Sequence, residues 1–195
     1  RKGKYALMPS FTFPATALAA IWCGLEPYFI DISIDDLYMD KTVLLDKIEE
    51  LKEEVAIVIP YATFGSWMNL EEYEELEKKG IPVVVDAAPG FGLMNGGMHY
   101  GQDFSGMIVY SFHATKPFGI GEGGLIYSKN EEDIQRIKRM GNFGFDKNRE
   151  CTMMGFNCKM SEYAAAIGIA TIKKWDQKLK ERSRISEWYK QLLQN

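Results

Sequence analysis

The sequence predicts an α/β fold, a mostly parallel sheet with helices on both faces in three layers. Short apolar runs rich in β-branched residues alternate with helical patterns of about ten residues, the spacing of strand–helix–strand crossover units. Several helical stretches carry their own start and stop residues. With 46% apolar and 26% charged residues among 195, the chain also has enough apolar material for a sizeable core, and its composition argues against disorder.

In chain order, a strand is expected at 5–8, a helix at 14–23, a strand at 27–32, a helix at 41–52 and a strand at 55–60. A helix at 70–79 follows, with Asn69 as its N-cap, Glu71 and Glu72 in its first turn, and Gly80-Ile81-Pro82 closing it. The run Ile81-Pro82-Val83-Val84-Val85 leads into a strand at 83–86, and Met107-Ile108-Val109-Tyr110 into one at 107–111. A strand at 124–128 and a helix at 131–140 come next. Ser161-Glu162 opens another helix, whose Ala164, Ala165, Ala166, Gly168 and Ala170 permit close packing, and helical periodicity continues from 175 to 193. Gly144, Gly155 and the irregular pattern between them divide the chain into residues 1–150, a major domain, and residues 151–195, the start of a smaller one. A strand begins almost at once and the last helical pattern is still running at Asn195, so a longer protein is expected.

The net charge of −4 leaves no electrostatic footprint for nucleic acid or an anionic membrane. No segment reaches the roughly 18 apolar residues of a membrane span, and Arg1-Lys2-Gly3-Lys4 is not followed by a signal-peptide core, so a cytoplasmic location is the default. Cys23, Cys151 and Cys158 lack the spacing of a zinc site and read as buried or incidental thiols; no metal is expected.

Ligands collect beyond the carboxyl ends of strands in open α/β sheets. Three segments converge there: Pro9-Ser10-Phe11-Thr12-Phe13, before a helix whose first amides could face an anion; Asp86; and Ser111. Beyond Ser111 the run continues through Phe112, His113, Ala114 and Thr115 to Lys116. An amine at a strand end, with a hydroxyl five positions earlier, is what a Schiff-base enzyme needs to hold an aldehyde cofactor. A carboxylate at Asp86 suits a protonated pyridine nitrogen, and the small Ala88 could lie flat under a ring. Together these residues point to pyridoxal phosphate. On ordinary grounds Lys116 would be a surface lysine, Asp86 a turn residue and His113 a structural histidine; it is their combination that favours a site. Gly119-Ile120-Gly121-Glu122-Gly123-Gly124 precedes a strand rather than a helix, so it is not a dinucleotide fingerprint; it lets backbone pass close to another element.

The motifs in order resemble the DegT/StrS-type sugar aminotransferases, fold-type I pyridoxal phosphate enzymes of the aspartate aminotransferase-like class. The resemblance rests on residues 9–16, Pro27-Tyr28-Phe29-Ile30-Asp31-Ile32, Asp86-Ala87-Ala88, 111–116, Gly121-Glu122-Gly123-Gly124 and 155–162. It implies transfer of an amino group, with glutamate the expected donor, to a keto sugar carried on a nucleotide diphosphate. Lys116 would be the Schiff-base lysine and proton shuttle, and Asp86 the partner of the ring nitrogen. Ser111 would bind the phosphate, Phe13 would stack on the ring and Ala88 would cover its other face. Asn157 would reach the phosphate of a neighbouring subunit in a homodimer, while His113 and Thr12 would lie near substrate.

One departure stands out. Members of the family it resembles usually carry Gln or His three residues after the aspartate, near the cofactor's phenolic oxygen, where this chain has Pro89. The family's Ser-Gly-Thr phosphate turn would precede residue 1, and most of its smaller domain would follow Asn195. Two rivals remain: a sugar dehydratase, which the resemblance would give histidine in place of Lys116, and a binding or regulatory protein that keeps the fold and has lost the chemistry.

Overall fold

The computed structural model describes residues 3–193. Among these residues eight strands run in the order β1 (Tyr5–Pro9), β2 (Glu26–Ile30), β3 (Val55–Val58), β4 (Val84–Asp86), β5 (Met94–Asn95), β6 (Met98–His99), β7 (Met107–Ser111) and β8 (Gly124–Tyr127). The helices are α1 (Pro14–Trp22), α2 (Lys41–Leu51), α3 (Glu71–Lys78), α4 (Glu131–Met140), α5 (Glu162–Ile172) and α6 (Trp175–Leu193).

Strands pair as β2-β1-β3 and as β4-β7-β8, and two parallel bridges, Val58 with Val83 and Tyr61 with Asp86, join the two groups across β3 and β4. The order is therefore β2-β1-β3-β4-β7-β8, parallel except for β8, which runs antiparallel to β7. This is the expected mostly parallel sheet with one antiparallel edge.

Side chains alternate between the two faces of a strand, and each face finds its own cover. From β1, Leu7 joins the larger core with Leu44 and Ile48 of α2 and Tyr73 and Leu76 of α3. Its neighbours Ala6 and Met8 turn the other way, against Ala20 and Ala17 of α1. Ala6, Leu7 and Met8 have no exposed surface, and burying a side chain of Leu or Met size contributes about 1.5–3 kcal/mol. Along β4 and its extension, Val83, Val85 and Ala87 enter the larger core; so do Ile108, Tyr110 and Phe112 along β7. Val84, Asp86, Ala88, Val109 and Ser111 consequently face the side that α1 occupies.

The helix caps follow the sequence. Asp40, Asn130 and Ser161 accept the amides of Val43, Glu132 and Ala164. Asn69 lies one residue before the N-cap position, which Leu70 holds, yet its Oδ1 still accepts the Glu71 amide at 2.9 Å. Gly80, with φ of 76°, ends α3 as expected. Expected strand ends are trimmed where the backbone cannot continue the ladder. Pro60 has no N–H, and Ile32 leaves the sheet to form a bridge with Met39. The β5–β6 hairpin was not anticipated; its signal is Asn95-Gly96-Gly97, with both glycines at positive φ. Of the two readings of the cysteines, buried or incidental, the exposure of all three rules out burial. Among the described residues no helix is long and apolar enough to cross a membrane, and no cluster of His, Cys, Asp or Glu could hold a metal ion.

An aromatic group ties the start of α6 to the turn after β4. Trp175 packs on Phe91 and Phe118, which in turn meet Phe112. Gly92 lies against the indole: an added Cβ would stand 2.5 Å from Trp175 Cζ2, and the backbone there has φ of 87°. Gly92→Ala is expected to lower stability by roughly 2 kcal/mol or more. Chemical denaturation followed by tryptophan fluorescence checks this, and an unchanged midpoint would contradict the packing.

Candidate active site

The carboxyl ends of β3, β4 and β7 open into a cavity of about 800 Å³, a volume in the range of small-molecule sites. Its sheet side follows the alternation of the strands and their extensions: Ile59 and Tyr61 after β3, Val84, Asp86 and Ala88 from β4 and beyond, and Val109 and Ser111 from β7 with His113 beyond it. The opposite wall comes from Phe13 and the first turns of α1, and Lys116 with Thr115 closes the end beyond Ser111. Six of the residues picked out from sequence, Phe13, Asp86, Ala88, Ser111, His113 and Lys116, line this one cavity.

Asp86 is fixed from two directions. Thr16 Oγ1 donates to its Oδ2 at 2.7 Å and the Ala88 amide donates to its Oδ1 at 3.1 Å. Thr16 is buried on α1, seventy positions away in sequence, and its hydroxyl also meets Thr12 Oγ1 at 2.8 Å. Thr12 itself is outside the cavity wall and acts on it only through Thr16. The backbone fixes the strand ends as firmly: the Asp86 amide donates to Pro60 O, the Ala87 amide to Val109 O and the Ser111 amide to Ala88 O.

Ser111 Oγ accepts the His113 amide at 3.2 Å, which leaves the hydroxyl hydrogen available to an anion in the cavity. His113 is exposed; its Nδ1 lies 3.0 Å from Thr115 Oγ1 and its Nε2 3.6 Å from Glu122 Oε1. The turn that carries Lys116 is held by its amide donating to His113 O. Gly119 then passes so close to Ala114 that a Cβ would stand 2.5 Å from the Ala114 carbonyl oxygen, the close approach expected of this glycine run.

Asn157 lies elsewhere, exposed, in a bridge with Asn142, with Lys159 Nζ on its side-chain oxygen. Pro89 lies against Gly65, where an added Cβ would stand 2.6 Å from the Pro89 carbonyl oxygen. Sequence reasoning missed Thr16, Tyr61 and Phe64. Phe64 is held at φ of 54°, uncommon for a residue with a side chain, and its exposed ring meets Phe11 edge-on at 5.9 Å. Burial, then the charge of Asp86, holds the Tyr61 phenol above its ordinary range.

The donor set fits pyridoxal phosphate: a carboxylate on the floor, a hydroxyl beside it, an amine at the end, a small residue and an aromatic ring on the walls.

Comparison with known proteins places the chain. The family model described as the DegT/DnrJ/EryC1/StrS aminotransferase family matches residues 1–195. A crystal structure of a Bacillus cereus ATCC 10987 protein, assigned to the PLP-dependent aminotransferases, is 94% identical with a TM-score of 0.97, covering 100% of this chain and 53% of that one. The Campylobacter jejuni UDP-4-amino-4,6-dideoxy-N-acetyl-beta-L-altrosamine transaminase is 33% identical over 192 residues, 95% of this chain and 50% of its own length. The crystal structure of NtdA from Bacillus subtilis with bound PMP is 28% identical with a TM-score of 0.76, covering 89% of this chain and 39% of that one. The chain spans about half the length of the curated relatives it matches. It belongs to the DegT/DnrJ/EryC1/StrS aminotransferase family.

Proposed function

We propose that the whole protein is a pyridoxal phosphate-dependent aminotransferase that moves an amino group from a donor, glutamate, to a keto sugar carried on a nucleotide diphosphate. The observation that carries this reading is the meeting of Asp86, Ser111 and Lys116 in one cavity, walled by Phe13 and Ala88. Similarity to transaminases of UDP- and dTDP-linked dideoxy sugars supports the substrate class.

Pyridoxal phosphate, when bound, supplies an aldehyde that condenses with amines and a ring that spreads the negative charge left at a deprotonated carbon. Lys116 would hold the cofactor through its amine and, once released, would carry a proton between the two carbons that exchange it. Asp86 would keep a proton on the ring nitrogen, and Thr16 and the Ala88 amide hold its carboxylate in place. Ser111 would donate to the phosphate, and Phe13 and Ala88, on opposite walls of the cavity, would cover the ring. Across the two half-reactions the donor leaves as its 2-oxo acid and the sugar's keto oxygen is replaced by an amino group.

Residues 1–150 are proposed as the cofactor-binding part, and residues 151–195 as a dimer-contact segment leading into a smaller domain. Large apolar side chains stand in solvent on that segment, among them Met154 at 88% and Tyr163 at 86% exposure. A homodimer would cover them, and Asn157 would then serve the partner's phosphate site. A cytoplasmic location accords with substrates of this kind. His113 and Thr12 are assigned to the substrate side, Thr12 through its contact with Thr16.

The full-length protein, incubated with pyridoxal phosphate, glutamate and a panel of nucleotide-linked keto sugars, is expected to yield an aminated sugar detectable by mass. Lys116→Ala should remove the cofactor's imine absorbance band and lower turnover by a thousandfold or more, on the order of what losing a covalent catalyst costs. A protein with Lys116 intact and no such band would contradict the proposal. Thr16→Val, which removes the hydroxyl that donates to Asp86, should destabilise the protein by about 1–2 kcal/mol in chemical denaturation and weaken cofactor retention. An unchanged midpoint and unchanged retention would show that the Thr16–Asp86 bond does not matter.

A further inference from the structure

Pro89 leaves the turn after Asp86 without a side-chain donor. The neighbouring strand has one. In the order β3-β4-β7, Asp86 occupies the middle, Ser111 stands to one side on β7, and Tyr61 stands to the other, bridged to Asp86 just past the end of β3.

The cofactor's covalent structure converts that order into an assignment. Around the pyridine ring the nitrogen is followed by the methyl-bearing carbon, the hydroxyl-bearing carbon, the aldehyde-bearing carbon and the carbon with the phosphate arm. The hydroxyl and the phosphate arm thus project from opposite edges. With the nitrogen at Asp86 and the phosphate at Ser111, the phosphate edge faces β7 and the hydroxyl edge faces β3.

Tyr61 is the polar side chain that this end of β3 turns into the cavity, beside the apolar Ile59. Tyr61 is half-buried at the cavity wall, and its phenol carries an O–H that can donate to a ligand there. Burial and the nearby Asp86 charge keep that hydrogen on the oxygen through neutral pH. The other titratable groups facing the cavity are Asp86 from β4 and His113 and Lys116 from the segment ending β7; Phe13, Ala15, Thr16 and Ala19 of the α1 wall contribute none.

We propose that Tyr61 donates a hydrogen bond to the 3-hydroxyl oxygen of bound pyridoxal phosphate, in the role that position 89 cannot fill. Tyr61 is then a cofactor-tuning residue. The inference rests on the cofactor reading above, and its test separates the two.

The full-length protein loaded with pyridoxal phosphate is titrated with pH while the cofactor's absorbance is followed, with and without Tyr61→Phe, a change that removes only the hydroxyl. A donor at the 3-oxygen stabilises its ionised form. Without it, the proton shared between that oxygen and the Lys116 nitrogen is harder to remove, and the midpoint is expected to rise by about one pH unit. A second measurement compares binding of pyridoxal phosphate with that of its 3-deoxy analogue. Deleting the 3-hydroxyl should weaken binding about tenfold more in the unsubstituted protein than in Y61F. An unchanged midpoint, or equal losses in the two proteins, overturns the role of Tyr61 and leaves the cofactor reading standing. Absence of any cofactor band in the unsubstituted protein overturns both.

Discussion

The site depends on the pairing register of β3, β4 and β7. Asp86, the last residue of β4, pairs with Val109 and bridges to Tyr61, which brings Tyr61, Asp86 and Ser111 together at the carboxyl ends of three neighbouring strands. Because side chains alternate with a period of two, a slip of one residue in any of these strands would carry Asp86 or Ser111 into the packed core and bring Val85 or Tyr110 into the cavity. The large core face makes that slip costly: Val83, Val85, Ala87 and Ile108 are almost wholly buried, and each would have to be exposed or replaced by a polar group. Core packing on one face thus fixes the chemistry on the other.

Helix α1 converts this geometry into a defined carboxylate. Its small residues, Ala17 and Ala20, let it lie close over Ala6 and Met8, and that closeness brings Thr16 within hydrogen-bonding distance of Asp86. The backbone amide of Ala88 completes the arrangement from the strand's own extension. An acceptor-only group held by two donors has its lone pairs oriented before any ligand arrives, so less ordering is left for binding to bring about.

Much of this was readable from sequence for a physical reason. Asp86 and Ser111 end continuous apolar runs, and such runs are where a buried strand meets solvent. The linked motifs then attached chemistry to those ends. Thr16 was not readable, because its partner is seventy positions away and a threonine among alanines carries no local signal. Tyr61 and Phe64 were hidden in a stretch without periodicity; Tyr61 shows its importance only through its bridge to Asp86, and Phe64 through a backbone angle. Asn69 was misplaced by one position because a side chain can satisfy a first-turn amide from just outside the helix.

The central claim is that the amine beyond Ser111 is the one that holds the cofactor, and covalent trapping tests it most directly. The full-length protein, loaded with pyridoxal phosphate, is reduced with borohydride, digested and mapped by mass spectrometry. The account predicts the reduced cofactor on the peptide containing Lys116 and on no other. Label on a different lysine, or on none, would contradict it.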